Sequence, residues 1–449
     1  MADKLLSLGL DVGTTTSQLI VSELTVENRG SAFTVPELTI TSRNILYRSP
    51  VIFTPLLGEN RVDGEALKSW VTSQFLSAGI DRSQVDTGAV IITGETSRKE
   101  NARSVLEALS GFAGEFVVTT AGPHLESVLA AKGSGAVAFS EETGQTVLNM
   151  DIGGGTTNLA LVRKGKILRT GCLNVGGRLI RYDPQGTPTY VSPALQGVTE
   201  DTDPRRVSSL LAQALEMAAG LTPATGLLTS LSTREAGAFW EPPEPGAVIC
   251  FSGGVADCID RSPALLEYGD LGPALGQEIR KSRLCQGAYR TGTETIRATV
   301  IGAGCHSTQL SGSTVFARNV TLPLRDLPVV SFSEEEQVSP SLPRLIKSRR
   351  QALDGIPALS FPGFSGASYR QVTALADALA ETGEGQPLYL ILQQDMAKAL
   401  GQALSLRLPE GQEILCLDRL KPGTDSYLDV GRPVADAFPV VIKTLVLGT

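Results

Sequence analysis

Two short stretches share one design. "LSLGLDVGTTTSQLIV" (residues 6–21) and "NMDIGGGTTNLALV" (149–162) each run an apolar strand into an aspartate. Glycine and threonines follow, and a second apolar strand returns. Branched apolar residues on both arms, with Gly and Thr between them, predict two β-hairpins. The same turn built twice, about 140 residues apart, points to two units of similar build whose hairpin tips do related work.

The residue types at the tips indicate what that work is. Glycine has no Cβ, so a ligand can come close to the backbone. Successive N–H groups in a tight turn form a nest for anions, and threonine adds hydroxyl donors. An aspartate beside such a nest would repel a phosphate unless a divalent cation stood between them. Mg²⁺ is commonly held in that way, by one or two carboxylates together with substrate phosphates. Two such hairpins, one from each unit, can clamp one Mg-nucleotide in a cleft.

Further stretches fit the same site. "AVICFSGGVADCI" (247–259) reads as a buried strand ending in Ser-Gly-Gly before a helix, which suits close approach of a nucleoside. "TVIGAGCHS" carries Gly302, Ala303 and Gly304, small enough for a helix to pack tightly on a neighbour. Glu126 heads the helical pattern "ESVLAAKGSGA". The remaining pattern alternates strands and helices. Helices are expected in "GEALKSWVTSQFLSAG", "SRKENARSVLEALSGF", "DPRRVSSLLAQALEMAAGL" and "ATVIGAGCHSTQL", and strands in "SPVIFTPL" and "GAVIITG". Beyond residue 311 a smaller α/β unit is expected, with "SEEEQ" and "KSRR" as solvated charges.

At 449 residues the chain exceeds the roughly 250–300 residues that one core supports. A net charge of −8 offers no basic field for nucleic acid. Aromatic residues make up 5% of the chain, too few for a stacking platform. No apolar run reaches the ~18–20 residues of a membrane span, and "MADKLLSLGLD" reads as a first strand rather than a signal peptide. A cytoplasmic location is expected. The six cysteines form no C-x-x-C pair and are expected to be reduced, buried thiols. With only His124 and His306 present, a zinc site or a Ser-His-Asp triad is not expected.

The four elements, in this order, resemble the actin–Hsp70–sugar kinase superfamily of ATPases. The resemblance covers residues 6–310 and implies an α/β fold of two ribonuclease H-like lobes around a nucleotide cleft, plus a C-terminal α/β extension. Its implied bounds are 1–145 for lobe I, 146–310 for lobe II and 311–449 for the extension. Asp11, Gly13, Thr14 and Thr15 match the first phosphate hairpin. Asp151, Gly153, Gly154, Gly155 and Thr156 match the second, and Gly253 and Gly254 match the adenosine motif. The resemblance implies ATP or ADP as ligand, Mg²⁺ between Asp11 and Asp151, and Asp11, Glu126, Asp151 and Thr156 as catalytic residues, with Glu126 orienting the attacking water. Asn158 stands where Hsp70-like members have Asp, and no lysine matches their catalytic one, which implies slow turnover.

Fold and nucleotide site leave three functional classes open: a chaperone-like ATPase, a small-molecule (sugar-type) kinase and an actin-like filament former. The whole chain, through "TSRNILYRSPVIFTPL" to "YLDVGRPVADAFPVVIKTLVLG", closely resembles the ethanolamine ammonia-lyase reactivating factors. That resemblance implies an ATP- and Mg²⁺-dependent release of damaged cobalamin from the lyase, so that adenosylcobalamin, a cofactor of the partner and not of this chain, can rebind. It also implies association with the ethanolamine bacterial microcompartment. A homo-oligomer stays open.

Overall fold

The computed structural model describes residues 3–13, 15–28, 38–57, 61–93, 105, 109, 117–120, 123–233, 240–244, 246–306, 308–312, 314–351, 353, 355–383, 385–423, 426–433 and 437–444. The first hairpin is β1 (Asp3–Val12) and β2 (Thr16–Asn28). It continues antiparallel into β3 (Leu38–Arg48), and on its other side β1 pairs in parallel with β4 (Thr87–Ile92), which pairs in parallel with β5 (Val117–Thr120). The second hairpin is β6 (Thr146–Ile152) and β7 (Thr157–Arg163), followed by β8 (Lys166–Leu173). Here β6 pairs in parallel with β9 (Val248–Ser252), and β9 with β10 (Tyr289–Thr291). Both sheets therefore have strand order 3-2-1-4-5, with three antiparallel strands and two added in parallel. This repeat gives the two units of similar build that the paired hairpins imply, and its strand order agrees with the ribonuclease H-like lobes that the superfamily resemblance implies.

Parallel central strands are buried on both faces and read as unbroken apolar runs. "LGLDV" and "VLNMDI" do so; Leu8, Leu10, Leu148 and Met150 are fully buried. Two helices join the lobes. Helix α2 (Pro123–Gly133) packs on the second sheet, and α7 (Ala298–His306) packs on β1, β2 and β4 of the first. They cross each other where Gly302 lies against the backbone of Leu129 and Gly133 against that of Ala298, so a Cβ at either glycine would strike main chain. A Cβ on Gly304 would stand 3.0 Å from the backbone N of Gly9. The small residues of "GAG" thus serve the tight packing expected of them. Between α2 and α7 in the chain lie α3 (Ala136–Thr143), α4 (Pro204–Ala218), α5 (Ala256–Arg261) and α6 (Gly272–Lys281). The first lobe carries α1 (Gly64–Ala78), opened by Asp63, whose carboxylate accepts from the Ala66 N–H at 3.0 Å, and closed by left-handed Gly79.

The terminal unit is an eight-stranded sheet. Its parallel core is Leu324–Ser331, Ala358–Phe361, Leu388–Leu392 and Ile414–Leu417. Helices Leu342–Gln351, Tyr369–Gly383 and Ala397–Ser405 cover one face.

Three expectations change. Thr308–Leu310, the tail of the expected "ATVIGAGCHSTQL" helix, is a strand paired with Pro439–Val441, so the terminal sheet takes it. In "SPVIFTPL" only Ile52–Phe53 is strand. "SEEEQ" forms a short capped helix, Glu334–Gln337, and Glu336 binds Arg349 at 2.5 Å, so these charges are partnered rather than merely solvated. The edge strand Leu38–Arg48 carried no clear signal. Of "SRKENARSVLEALSGF", only Val105 and Leu109 are among the described residues; both are helical and buried. Among the described residues no helix is long and apolar enough to cross a membrane.

Candidate functional site

The two hairpins are superimposable in their bonding. Asp11 pairs across its hairpin with Gln18, and Asp151 with Asn158, each 140 positions on. The Gly13 N–H donates to the Thr16 carbonyl at 2.9 Å, and the Gly153 N–H donates to that of Thr156 at the same distance. The tips meet: a Cβ on Gly154 would stand 2.6 Å from Thr15 Oγ1, whereas at Gly155 it would meet nothing. Between the tips, and reaching back to the start of α5, lies a cavity of about 350 Å³.

Asp11, Gly13, Thr15, Glu126, Asp151, Gly153, Gly154, Gly155, Thr156, Gly253 and Gly254 all line this cavity. Thr14 lies outside the described residues. Each aspartate ends a buried central strand and is oriented by a hydroxyl from the neighbouring parallel strand or the connecting helix. Thr93 Oγ1 donates to Asp11 Oδ1 at 2.8 Å. Ser252 Oγ donates to Asp151 Oδ1 at 2.7 Å, and Thr299 Oγ1 to Oδ2 at 3.4 Å. Ser252 in turn accepts from Asn149, and Asn149 from Ser134, so the serine proton is directed at Asp151. Burial pushes the Asp11 carboxyl up to about 7, against the pull of Thr93 and with a further push from the Asp151 charge. Burial likewise pushes Asp151 up to about 6. Two desolvated carboxylates facing one cavity favour either a shared proton or a cation.

The opposing amides favour the cation. Gln18 Oε1 and Asn158 Oδ1, at equivalent places in the two hairpins, are buried with no hydrogen-bond partner among the described residues. Both residues line the cavity. Two carboxylates with two amide oxygens suit a hydrated hard cation such as Mg²⁺, which keeps several waters as donors and relies on phosphates to complete its shell. Among the described residues no group of three His, Cys, Asp or Glu is placed to hold a metal ion by itself. Asn158 Nδ2 also donates to Glu126 Oε2 at 2.8 Å, which sets the carboxylate of α2 against the second hairpin.

At the far end, Gly253 takes φ +85°, a conformation that favours glycine, and a Cβ there would strike the Ile152 carbonyl oxygen. Gly254 has only Ile296 near, 3.8 Å from where its Cβ would stand. That leaves the backbone open to a ligand. Sequence reasoning missed Gln18, Thr93, Ser252, Thr299, Asp270 and Arg178, all in or at this cavity. A signal existed for Gln18: an amide stands seven residues after the aspartate in both hairpins. His124 is away from the cavity, with Nδ1 2.7 Å from Thr170 Oγ1. Burial drives the pKa of His306 down to about 4, so it stays neutral in the interior. The six cysteines are buried and unpaired with one another.

The sequence model of the family described as "Ethanolamine utilisation protein EutA" matches residues 3–448. A Salmonella typhimurium strain LT2 protein, "Ethanolamine ammonia-lyase reactivase EutA", is 38% identical over 468 aligned positions, covering 98% of each chain. The Escherichia coli K12 protein of the same name is 37% identical over the same coverage. Among solved structures, an Aquifex aeolicus PPX-GPPA enzyme aligns with 67% of this chain and 99% of its own, at 13% identity and a TM-score of 0.42. The ethanolamine utilisation protein EutJ of Carboxydothermus hydrogenoformans aligns with 67% of this chain and 89% of its own, at 15% identity and a TM-score of 0.34.

Proposed function

The chain belongs to the ethanolamine utilisation protein EutA family, and from that premise we propose that it is an ATP-dependent, chaperone-like reactivating factor for ethanolamine ammonia-lyase. It releases damaged cobalamin from the inactivated lyase so that intact adenosylcobalamin can rebind. The cobalamin belongs to the lyase; this chain's own ligands are ATP or ADP and Mg²⁺. Residues 1–145 and 146–310 act as the two lobes, with 308–310 passing into the terminal unit 311–449. The working location is the cytoplasm, at the ethanolamine microcompartment.

The observation that carries the nucleotide reading is the repeated Asp–Gly–Thr hairpin, whose two copies put buried carboxylates and bare glycine backbone on one cavity. Asp11 and Asp151 are the residues that hold Mg²⁺. Bound there, the ion offsets the charge between carboxylates and phosphates. Gly13 and Gly153, whose own N–H groups close the two turns, leave room for the phosphates; Thr14, Thr15 and Gly154–Thr156 supply backbone and hydroxyl donors to them, and Gly253 and Gly254 admit the nucleoside. The reaction transfers the terminal phosphoryl group to water. A bond forms between the water oxygen and phosphorus, the bond to the bridging oxygen breaks with its electron pair left on ADP, and the proton of the water goes to solvent. Glu126, held by Asn158, orients that water. ATP contacts both tips and favours the closed cleft; ADP lacks the terminal phosphate and lets it open. Coupling of lobe angle to the lyase is then reciprocal.

The test uses purified protein, cyanocobalamin-blocked lyase, adenosylcobalamin, Mg²⁺ and γ-labelled ATP. Label in free phosphate, with cobalamin released only when ATP and Mg²⁺ are both present, is the expected result. Label in ethanolamine or a sugar, with the lyase left blocked, would overturn the proposal in favour of a kinase.

A further inference from the structure

The cavity wall is poor in positive charge. Asp11, Glu126, Asp151, Asp257 and Asp270 line it, against Arg178 and Arg261 as the cations among the described lining residues. Arg261 ends the short helix that follows the Gly253–Gly254 turn, and so sits towards the nucleoside end. One divalent ion shared by two carboxylates leaves no surplus positive charge for a terminal phosphate. A second source is needed at the hairpin tips.

Arg178 is built into that place. Its N–H donates to the Gly154 carbonyl at 2.6 Å, and the N–H of Gly177 donates to that of Gly153 at 2.9 Å, so the loop is strapped along the second tip. The strap needs its glycines: a Cβ on Gly177 would stand 2.9 Å from the Gly272 Cα. The Arg178 side chain runs past Gly154, within 3.7 Å of where a Cβ there would be, and Thr15 of the opposite hairpin meets the same spot. Its guanidinium lies 5.6 Å over the ring of Phe53, a residue of the first lobe that pairs with Thr16. Phe53 is 72% exposed, so core packing does not explain its position. Asp270 is 4.0 Å from Arg178 Nη1, too far for a hydrogen bond, while Asp270 Oδ1 accepts from the Gly272 N–H at 2.8 Å. The guanidinium thus stays charged, is loosely held and lies at the meeting of the lobes.

We propose that Arg178 receives the terminal phosphate of the nucleotide and, through its contact with Phe53, ties the presence of that phosphate to closure of the cleft. This rests on the ATP reading above. It assigns to an arginine of lobe II the charge that the sequence lacks as a matching lysine, and it makes Arg178 the residue that tells ATP from ADP.

The experiment measures Mg-ATP and Mg-ADP affinities by titration calorimetry for wild type, Arg178→Gln and Arg178→Lys. Loss of a charge-assisted contact is worth about 10- to 100-fold. ATP affinity should fall by that factor in Arg178→Gln and ADP affinity by less than about 3-fold, with Lys restoring part of the ATP affinity. Nucleotide-dependent protection of the 50–57 segment from hydrogen exchange should be greater with ATP than ADP in wild type, and equal in Arg178→Gln. Equal losses of ATP and ADP affinity, or an unchanged ratio, would overturn the assignment while leaving the ATPase intact. If Arg178→Gln does not fold, Arg178→Lys carries the test: a wild-type ratio and wild-type protection would overturn it. A wild-type protein that binds neither nucleotide would instead sink the underlying reading.

Discussion

Replacing Asp11 by Asn should raise the stability of the metal-free protein and sharply lower its activity with Mg-ATP. Asp11 is 6% exposed at the end of β1. Burial drives its carboxyl from 3.8 to about 7. A carboxyl whose folded pKa is raised contributes stability that is fully present below its unfolded value and lost as pH rises through the folded value. At 1.36 kcal/mol per unit, the shift from 3.8 to about 7 corresponds to roughly 4 kcal/mol as an upper bound, withheld from the metal-free protein above neutral pH. Asparagine has the same shape, still accepts from Thr93 and carries no charge. Without Mg²⁺ at pH 8, Asp11→Asn should therefore unfold at a higher temperature than wild type, and the two should converge near pH 4. Phosphate release from Mg-ATP should fall at least about 100-fold, since one of the two metal-holding carboxylates is gone. The assay is thermal unfolding from pH 4 to 8, with phosphate release measured in parallel. A lower unfolding temperature at pH 8 together with wild-type phosphate release would refute the reasoning and reduce Asp11 to a turn cap.

Mg²⁺ binding in the presence of ADP should strengthen between pH 5.5 and 7.5, as Asp151 (about 6) and Asp11 (about 7) give up their protons. Calorimetry in two buffers of different ionisation heat reads the proton release, and a flat profile would contradict it. Gly254→Val should fold, because its Cβ meets only Ile296 at 3.8 Å, yet should lose at least about 10-fold in adenine-nucleotide affinity as the side chain fills the approach; wild-type affinity by calorimetry would put the nucleoside elsewhere. Replacing all six buried cysteines with Ser or Ala should cost packing stability but leave reactivation measurable under reducing conditions. One well-folded single variant without reactivation would reveal a redox or ligand role.

The parts of the site that were legible in the sequence are those made locally. A hairpin brings its own two strands together, so the order strand, Asp, Gly, Thr, strand was enough to put Asp11 and Asp151 at two equivalent tips; the register that sets Gln18 opposite Asp11 and Asn158 opposite Asp151 came from the structure. The glycines of "TVIGAGCHS" were legible for a similar reason: a run of small residues on an apolar helix has few uses besides close packing. The strand Leu38–Arg48 was not, because it lies at a sheet edge and none of its residues is fully buried, leaving no period-2 pattern to read. Thr308–Leu310 was missed because three residues adjoining a helix carry no period, and their pairing partner lies some 130 positions away. Thr93, Ser252 and Thr299 reach the aspartates from other strands and a helix, and Arg178 from a loop after a third strand. Nothing within a short window announces such convergence. The local hint for Arg178, "NVGGR" after an apolar strand, acquires meaning only once Gly177 and Arg178 are seen bonded to Gly153 and Gly154.

Asn158 looks like a defect when measured against the Hsp70-like pattern, but the geometry gives a reason for an amide there. Its side chain is buried, pairs in register with Asp151 and donates to Glu126 at 2.8 Å. An aspartate in its place would add a fourth carboxylate to this part of the cavity, set against Glu126 and joining Asp11 and Asp151, whose pKa values burial already raises. Like charges so close cannot all ionise in a dry site, and the shared proton would fall on the very groups proposed to face a cation. The amide removes that conflict: Nδ2 satisfies Glu126, and Oδ1 is left as an acceptor for water. What the amide cannot do is take a proton from that water. On the proposed ATPase reading, Glu126 is then the only member of this pair able to do so, and the arrangement holds a water better than it activates it. A site of that kind suits a factor whose nucleotide state must last long enough to act on a partner, rather than an enzyme selected for rapid turnover.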